Sequence, residues 1–197
     1  GGSTDLVLHL PAMAKAAGIK LEISDFDDIS SVTPLMAKIY PNGLADVNHF
    51  HAAGGLNYMI AELLEAGYLH NDVQTIMGLG LETYTKEPKL IDGKIEFVPS
   101  STKSHNKKIL RPVSNPFQKS GGIKRLAGNL GSCIIKISSV PMEKQIIEAP
   151  ARVFEAQEEV KSAFKNNELN TDLVIVVRFQ GPVANGMPEL HGLTPIL

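Results

Sequence analysis

The sequence predicts an α/β fold, and two observations support this class. Apolar residues in the first 70 positions recur mainly at helical spacing, whereas short runs rich in Val and Ile after residue 121 are typical of strands. A helical segment separates two of those runs, as in a chain that alternates strand and helix. The 197 residues, of which 43% are hydrophobic and 20% charged, suffice for one large or two small globular domains.

The first part of the chain is predicted to be mainly helical. Leu56, Met59 and Leu63 lie three or four residues apart, which places them on one helix face, and Gly67 is positioned to end that helix. An acidic cluster at 24–28 is rich in capping side chains and precedes a short helix that Pro34 interrupts. The predicted helices cover residues 6–17, 29–39, 56–66 and 73–84.

The second part is predicted to contain the strands. Residues 86–118 carry four prolines and a polar run, which indicate a loop or a connection between domains. Strands are predicted at 132–140 and 172–179, the latter buried on both faces, with a helix at 151–165 between them. Cys133 lies in the first strand, where a core position is expected.

Bulk properties exclude several classes of function. The net charge is −2 and the basic residues are scattered, so we expect neither nucleic acid nor membrane as a partner. No apolar run reaches the length of a membrane span. A single cysteine forms no internal disulfide, suits a reducing cytoplasm, and is too few to hold an iron–sulfur cluster alone.

Residues 1–4, Gly-Gly-Ser-Thr, form the first candidate site. Small residues at a helix start expose backbone N–H groups to an anion, and the Ser3 and Thr4 hydroxyls add donors for a phosphate or carboxylate. The alternative is that Ser3 or Thr4 only caps the helix, which is the commonest role of these residue types at that position.

The block at 46–55 is the second candidate. If it forms a strand, His49 and His51 share a face and suit a metal ion or an acidic substrate. The chain offers no further ligand at zinc-finger spacing, so a dedicated zinc site is not expected. An ordinary polar surface turn is the alternative.

The loop at 179–189 is the third candidate. It leaves a predicted buried strand, contains two glycines and two prolines, and ends at Glu189. A carboxylate oxygen held by such a loop suits Mg²⁺. The alternative is a plain strand-exit turn with a solvated glutamate.

Five stretches together resemble one family, the dihydroxy-acid and 6-phosphogluconate dehydratases. Residues 1–5 are similar to its Gly-Gly-Ser-Thr-Asn helix start, with Asp5 in place of the usual Asn. Gly-Asn-Leu-Gly at 128–131 is followed by Ser-Cys where the family commonly has Arg-Ala. The remaining stretches are 40–55, 148–154 and 177–190; the Val-Asn-His-Phe-His and Ala-Asn-Gly-Met-Pro-Glu runs within them resemble the phosphogluconate branch.

The resemblance implies a lyase of the Entner–Doudoroff pathway that dehydrates 6-phospho-D-gluconate to 2-dehydro-3-deoxy-6-phosphogluconate. In this family a cluster iron acts as Lewis acid on the C3 hydroxyl, Mg²⁺ holds the carboxylate end, and a serine takes the C2 proton. The implied cofactors are therefore an iron–sulfur cluster, expected to be 4Fe-4S, and Mg²⁺. The implied partners are a phosphorylated sugar acid and a second copy in a homodimer.

The resemblance assigns few roles to residues of this chain. Glu189 matches the magnesium-ligating Glu of the Met-Pro-Glu motif, and substrate contact is predicted for Ser3, Thr4, His49 and His51. The chain begins without Met and stops just after the Gly/Pro-rich motif, so we expect an internal, inactive piece that holds neither the cluster cysteines nor the serine base.

The family fold implies a mainly helical tail of an α/β domain at 1–110. The start of a swivelling β-barrel-like (β/β/α) domain follows at 111–197. The rival interpretations are a dehydratase of the same superfamily acting on another sugar acid or dihydroxy acid, and a non-catalytic binding module.

Overall fold

The computed structural model describes residues 2–186 and 190–197 and combines helices with strands, which confirms the α/β class in its general form. The chain divides into two compact units, Gly1–Pro141 and Met142–Leu197. Each described sheet has two strands, and none closes into a barrel. The predicted domain boundary after residue 110 and the swivelling-domain architecture stay predictions.

Unit 1, Gly1–Pro141, begins with four helices. Ser3 caps the first with its side chain, and Gly67, at φ +76°, follows the fourth, since a left-handed backbone ends a helix and glycine adopts it without strain. The first and fourth confirm the predicted helices at 6–17 and 56–66. The bounds are α1 Thr4–Ala16, α2 Ile23–Val32, α3 Val47–Ala52 and α4 Gly55–Glu65.

The second helix lies earlier than predicted. Residues 24–28 belong to α2 itself, because Glu22 and Asp25 form a reciprocal capping box at its start. The helix ends at Val32, just before Pro34, and Leu35 and Ala37 continue as an extended segment. Its bridge partners are Gln118 and Leu110, so the apolar residues after Pro34 reach the core in extended form.

The predicted helix at 73–84 is wrong. This stretch contains the short antiparallel strands β1 (Gln74–Thr75) and β2 (Gly78–Leu79), followed by a 3₁₀ turn at Glu82–Thr85. Gly78 and Gly80 have φ of +108° and +90°, which no α-helix contains. The two glycines therefore decide the local structure against the apolar spacing.

The predicted loop at 86–118 is wrong in its first half. β3 (Lys86–Ile91) and β4 (Lys94–Pro99) form a regular antiparallel hairpin around Asp92 and Gly93. Both turn residues have positive φ, +48° and +77°, as a two-residue turn of the mirror-image type requires. The Asp-Gly signal outweighs the prolines that suggested a loop.

A second hairpin confirms the β pattern that begins near residue 121. It pairs β5 (Ile123–Gly128) with β6 (Gly131–Lys136), and the chain then turns through a 3₁₀ segment at Ile137–Ser139, so the predicted strand 132–140 is four residues too long. Cys133 is exposed, and its expected core position is wrong. In the described part of the chain this sheet has only two strands.

The core of unit 1 joins segments far apart in sequence. Met36, Ala53, Tyr58, Ile109 and Leu110 pack as one buried cluster. Backbone bonds from Lys38 N to Ile109 O and from Arg111 N to Met36 O tie the two extended segments together. Contacts between residues far apart in sequence therefore hold the core of unit 1 together.

Unit 2, Met142–Leu197, is a strand–helix–strand arrangement. β7 (Ala151–Phe154) and β8 (Val174–Val177) are parallel neighbours, and α5 (Gln157–Lys165) lies between them in sequence. The predicted helix at 151–165 is wrong over its first residues, because Ala156 is extended at φ −146° and the segment before it pairs with β8. A short helix α6 (Pro182–Asn185) and 3₁₀ turns at Met142–Lys144 and His191–Leu193 complete the unit.

The core of unit 2 is small and local. Phe154, Val160, Ala163 and Leu193 form its buried cluster. β8 is shorter than predicted and only half-buried, with Val174 38% exposed, because it has one strand neighbour among the described residues. None of the helices in the described ranges has the length and apolar content needed to cross a bilayer.

Candidate functional site

A cavity of about 490 Å³ in unit 1 includes the predicted contact residue Ser3 in its wall and is therefore taken as the candidate site. Its volume lies within the roughly 300–1,000 Å³ typical of small-molecule sites. Apolar side chains make up most of its wall, with a few polar groups among them. The lining residues are Gly2, Ser3, Thr33, Pro34, Met36, Ala37, Ile39, Tyr40, Asn42, Phe50, Met59, Leu63 and Lys136.

Ser3 lines this cavity and also caps α1. Its hydroxyl accepts a hydrogen bond from the Asp5 amide at 3.0 Å and lies 3.3 Å from the Asp5 carboxylate, to which it donates. The capping alternative is therefore what the structure shows for the Ser3 side chain. Thr4 is exposed as the first residue of α1 and is not among the lining residues.

The expected shared face of His49 and His51 is wrong, because the two histidines lie on α3 and not on a strand. Residues two apart on a helix point in different directions. Asp46 Oδ1 accepts bonds from the His49 amide at 2.9 Å and from His49 Nδ1 at 2.7 Å. The backbone bond and then the side-chain bond hold the pKa of Asp46 below its usual value. Phe50, between the two histidines, is the residue of this block that lines the cavity.

Lys136 is the functional candidate that the sequence did not reveal. It lies at the end of β6, is half-buried, and is the one charged side chain among the described lining residues. Burial lowers the pKa of its ammonium group. Within residues 2–186 and 190–197, no carboxylate lies within ion-pair distance of it. The sequence signal that could have identified Lys136 is its position between Ile135 and Ile137 in a predicted apolar strand.

Asn42 is the second polar group that the sequence missed. Its side-chain oxygen accepts a hydrogen bond from the Ser138 hydroxyl at 2.9 Å, across 96 residues of sequence. Ser138 packs against Gly122, where an added Cβ would lie 2.3 Å from the Ser138 Cβ. The end of the β5–β6 hairpin thus holds the Asn42 amide in the wall of the cavity.

The predicted magnesium ligand Glu189 lies outside the described residues. The described part of its loop leaves β8 at Phe179, whose φ is +57°, and the Phe179 carbonyl accepts a bond from the Asn185 amide. No group of three His, Cys, Asp or Glu side chains that could hold a metal ion occurs in the described ranges.

Comparison with protein families gives two matches along the chain. A model described as Dihydroxy-acid/6-phosphogluconate dehydratase N-terminal matches residues 1–84. The corresponding C-terminal model matches residues 108–197. The chain belongs to this dehydratase family. The resemblance inferred from its motifs is thereby confirmed.

Individual members of the family are similar over the whole chain. A phosphogluconate dehydratase of Pseudomonas aeruginosa is 53% identical over 197 residues, which are 100% of this chain and 32% of that protein. One of Escherichia coli K12 is also 53% identical, over 100% of this chain and 33% of its own length. A dihydroxy-acid dehydratase of Koribacter versatilis is 37% identical over 98% of this chain and 32% of that protein. The chain spans about a third of the length of these relatives.

Proposed function

We propose that the chain is part of a hydro-lyase that converts 6-phospho-D-gluconate to 2-dehydro-3-deoxy-6-phospho-D-gluconate, a step of the Entner–Doudoroff pathway. The carrying observation is the 53% identity to phosphogluconate dehydratases along all 197 residues. The overall reaction removes the C2 hydrogen and the C3 hydroxyl as water, and the resulting enol becomes the 2-keto acid.

The cavity of unit 1 supports this proposal. It is large enough for a small ligand, and its wall combines apolar surface with Ser3, Asn42 and Lys136. Of the predicted substrate contacts, Ser3 has the best support because it lines the cavity. Thr4, His49 and His51 stay proposals without such support, and the His49 ring is already bonded to Asp46.

The residues of this chain do not fit an iron–sulfur cluster by themselves. Such clusters are held by several thiolates, whereas Cys133 is the one cysteine in the sequence and lies exposed on β6. We propose that other segments of the enzyme supply the cluster ligands, and that these 197 residues alone are inactive. Glu189 is proposed as one Mg²⁺ ligand, since a single carboxylate with water and substrate oxygens is a usual magnesium environment.

Two other interpretations of the chain predict different outcomes of the same assay. A dehydratase acting on an unphosphorylated sugar acid or a dihydroxy acid has the same family membership, and the 37% identity to a dihydroxy-acid dehydratase keeps it as the second candidate. A non-catalytic binding module would retain the cavity without turnover. Cytoplasmic location, a homodimer, and a swivelling β-barrel-like second domain are further proposals from the family.

The test is a keto-acid assay on the intact enzyme, loaded with iron, sulfide and Mg²⁺. We expect turnover with 6-phosphogluconate to exceed that with gluconate and with 2,3-dihydroxyisovalerate. Preference for either unphosphorylated acid would transfer the assignment to the second candidate. No turnover of any of the three by the loaded enzyme would favour the binding module. Turnover by the 197-residue chain alone would overturn the proposal that it is an inactive part.

A further inference from the structure

We infer that Lys136 and Asn42 form the anion-recognising wall of the unit 1 cavity, where they bind a carboxylate or phosphate group of the ligand. Lys136 supplies the charge and the Asn42 amide supplies a neutral hydrogen-bond donor. The identity of the ligand as an acidic sugar rests on the proposed function. The binding of an anion rests on the cavity alone.

The charge distribution of the cavity is the first observation that favours an anion as its ligand. Lys136 is the one charged group on a wall that is otherwise apolar or neutral, and it is half-buried there. A partly buried ammonium without a carboxylate partner is costly, and an anion that enters the cavity removes that cost. Three other lysines of the unit, Lys20, Lys89 and Lys124, each lie within 4 Å of a carboxylate.

The hydrogen bonding of Asn42 is the second observation that favours an anion. An asparagine side chain has one acceptor and one donor group. The oxygen accepts a hydrogen bond from the Ser138 hydroxyl at 2.9 Å, whereas the NH₂ group has no hydrogen-bond partner within residues 2–186 and 190–197. The ammonium group of Lys136 and this NH₂ group are the donors that the inference assigns to the anion.

The fold positions both groups through one structural feature. Lys136 ends β6, and Ser138 follows it by two residues in the adjoining 3₁₀ turn. The Ile137 amide donates to the Gly122 carbonyl at 2.7 Å, which fixes that turn on the hairpin. The residue that supplies the cation and the residue that orients the amide are therefore held by the same backbone segment.

The helix terminus nearby is not part of this proposal. Ser3 and Asp5 already satisfy each other at the start of α1, and the Asp5 carboxylate adds a negative charge there. Asp5 does not line the cavity. The inference therefore assigns anion binding to Lys136 and Asn42 without using the α1 terminus.

The test is an equilibrium titration of the intact protein and its Lys136→Met variant with four ligands: inorganic phosphate, acetate, gluconate and 6-phosphogluconate. Met keeps the length of the side chain and removes its charge. We expect Lys136→Met to weaken binding about tenfold or more, because the variant loses a hydrogen bond from a charged donor to the anion. Lys136→Arg should restore much of the affinity, which a loss of packing alone would not explain. Lys119 is exposed and has no ion pair within residues 2–186 and 190–197. Lys119→Met is therefore the matched control for loss of charge from unit 1 and should leave the dissociation constants unchanged.

The Asn42→Asp variant tests the donor pattern independently. The substitution is nearly isosteric and keeps an oxygen for Ser138, but it replaces the donor with a negative charge. Anion affinity should fall by about tenfold or more. Thermal unfolding of every variant shows whether the fold is intact.

The outcomes separate this inference from the proposed function. A larger effect of Lys136→Met on phosphate and 6-phosphogluconate identifies the phosphate as the bound group, and a larger effect on acetate and gluconate identifies the carboxylate. Either supports the inference, even if the intact enzyme turns over a different acid. Unchanged binding of all four ligands by folded Lys136→Met, or no binding by the unmodified protein, overturns it while leaving the dehydratase assignment standing.

Discussion

The two compact units build their cores in opposite ways. Unit 2 buries Phe154, Val160 and Ala163 within one strand–helix–strand segment, and Leu193 joins them from the end of the chain, so its core spans about 40 residues. Unit 1 brings Met36 and Leu110 together across more than 70 residues, and its cavity wall runs from Ser3 to Lys136. The difference teaches that the candidate site depends on long-range contacts, which local sequence patterns do not specify.

The largest expected effect comes from the centre of the unit 1 core. Leu110 is fully buried, and Leu110→Ala should destabilise the protein by about 2–5 kcal/mol through lost burial and the remaining void. Hydrogen exchange of the Lys38 and Arg111 amides, which bond to this segment, should accelerate accordingly. Leu130→Ala, at a site 92% exposed in the β5–β6 turn, is the control and should change little. Equal effects of the two variants would contradict the assigned core.

The contact between the hairpin and the cavity wall gives the next effect. Gly122 has a φ of +86°, and an added Cβ would lie 2.3 Å from the Ser138 Cβ. Gly122→Ala should therefore cost roughly 2–4 kcal/mol, the sum of backbone strain and overpacking. It should also weaken anion binding, because Ser138 orients Asn42.

Gly128→Ala is the matched control, since nothing lies within 4 Å of a Cβ at that position. Urea denaturation of both variants measures the difference. A Gly122→Ala protein as stable as the control would show that the close approach is not required.

The local core of unit 2 should respond less. Val160 is fully buried, and Val160→Ala removes two methyl groups, which corresponds to roughly 2 kcal/mol. Amide hydrogen exchange in α5 and β8 should become faster as the stability of unit 2 falls. Val183→Ala, fully exposed in α6, is the matched control. A larger loss for Val160→Ala than for Leu110→Ala would reverse the comparison between the units.

The smallest effect is a pH dependence in unit 2. The Arg152 side chain and then the Asn166 amide hydrogen-bond Glu168 and hold its pKa below the usual 4.5. A lowered carboxyl pKa contributes stability above pH 4.5 that is lost as the pH falls through the folded-state pKa. The stability difference between the unmodified protein and Glu168→Gln should thus be small at pH 7 and vanish in stronger acid. Glu143 is exposed and has no ion pair in the described structure, so Glu143→Gln is the control. Urea denaturation at pH 7 and in stronger acid should give the same stability difference for this variant at both pH values.

The sequence predicted those elements whose ends carry local signals. α1 and α4 were found because capping residues and glycines mark their limits. The helix at 73–84 failed because left-handed glycines overruled apolar spacing. The predicted helix was wrong at 151–154 because these residues pair with β8, more than 20 residues away, and this pairing makes them a strand.

The candidate site was only partly predictable for the same reason. The family motif drew attention to Ser3, which lines the cavity and caps α1, and its predicted contact with substrate stays a prediction. Lys136 lies in no predicted motif, and the 40–55 stretch assigned no role to Asn42. The roles inferred for both depend on the Ser138 contact across 96 residues and on an apolar wall assembled from several elements. His49 and His51 were paired by a two-residue period that α3 does not have.

The most direct measurement is the rate at which individual lysines of the intact protein are acetylated, with and without 6-phosphogluconate. Mass spectrometry resolves Lys136 from Lys119 and Lys124, which do not line the cavity and serve as internal controls. The account predicts that saturating ligand protects Lys136 about tenfold or more, the loss of free site expected well above the dissociation constant, while the two controls react unchanged. Equal labelling of Lys136 in both conditions, under confirmed saturation, would contradict the assignment of this cavity as the acid-binding site of the dehydratase.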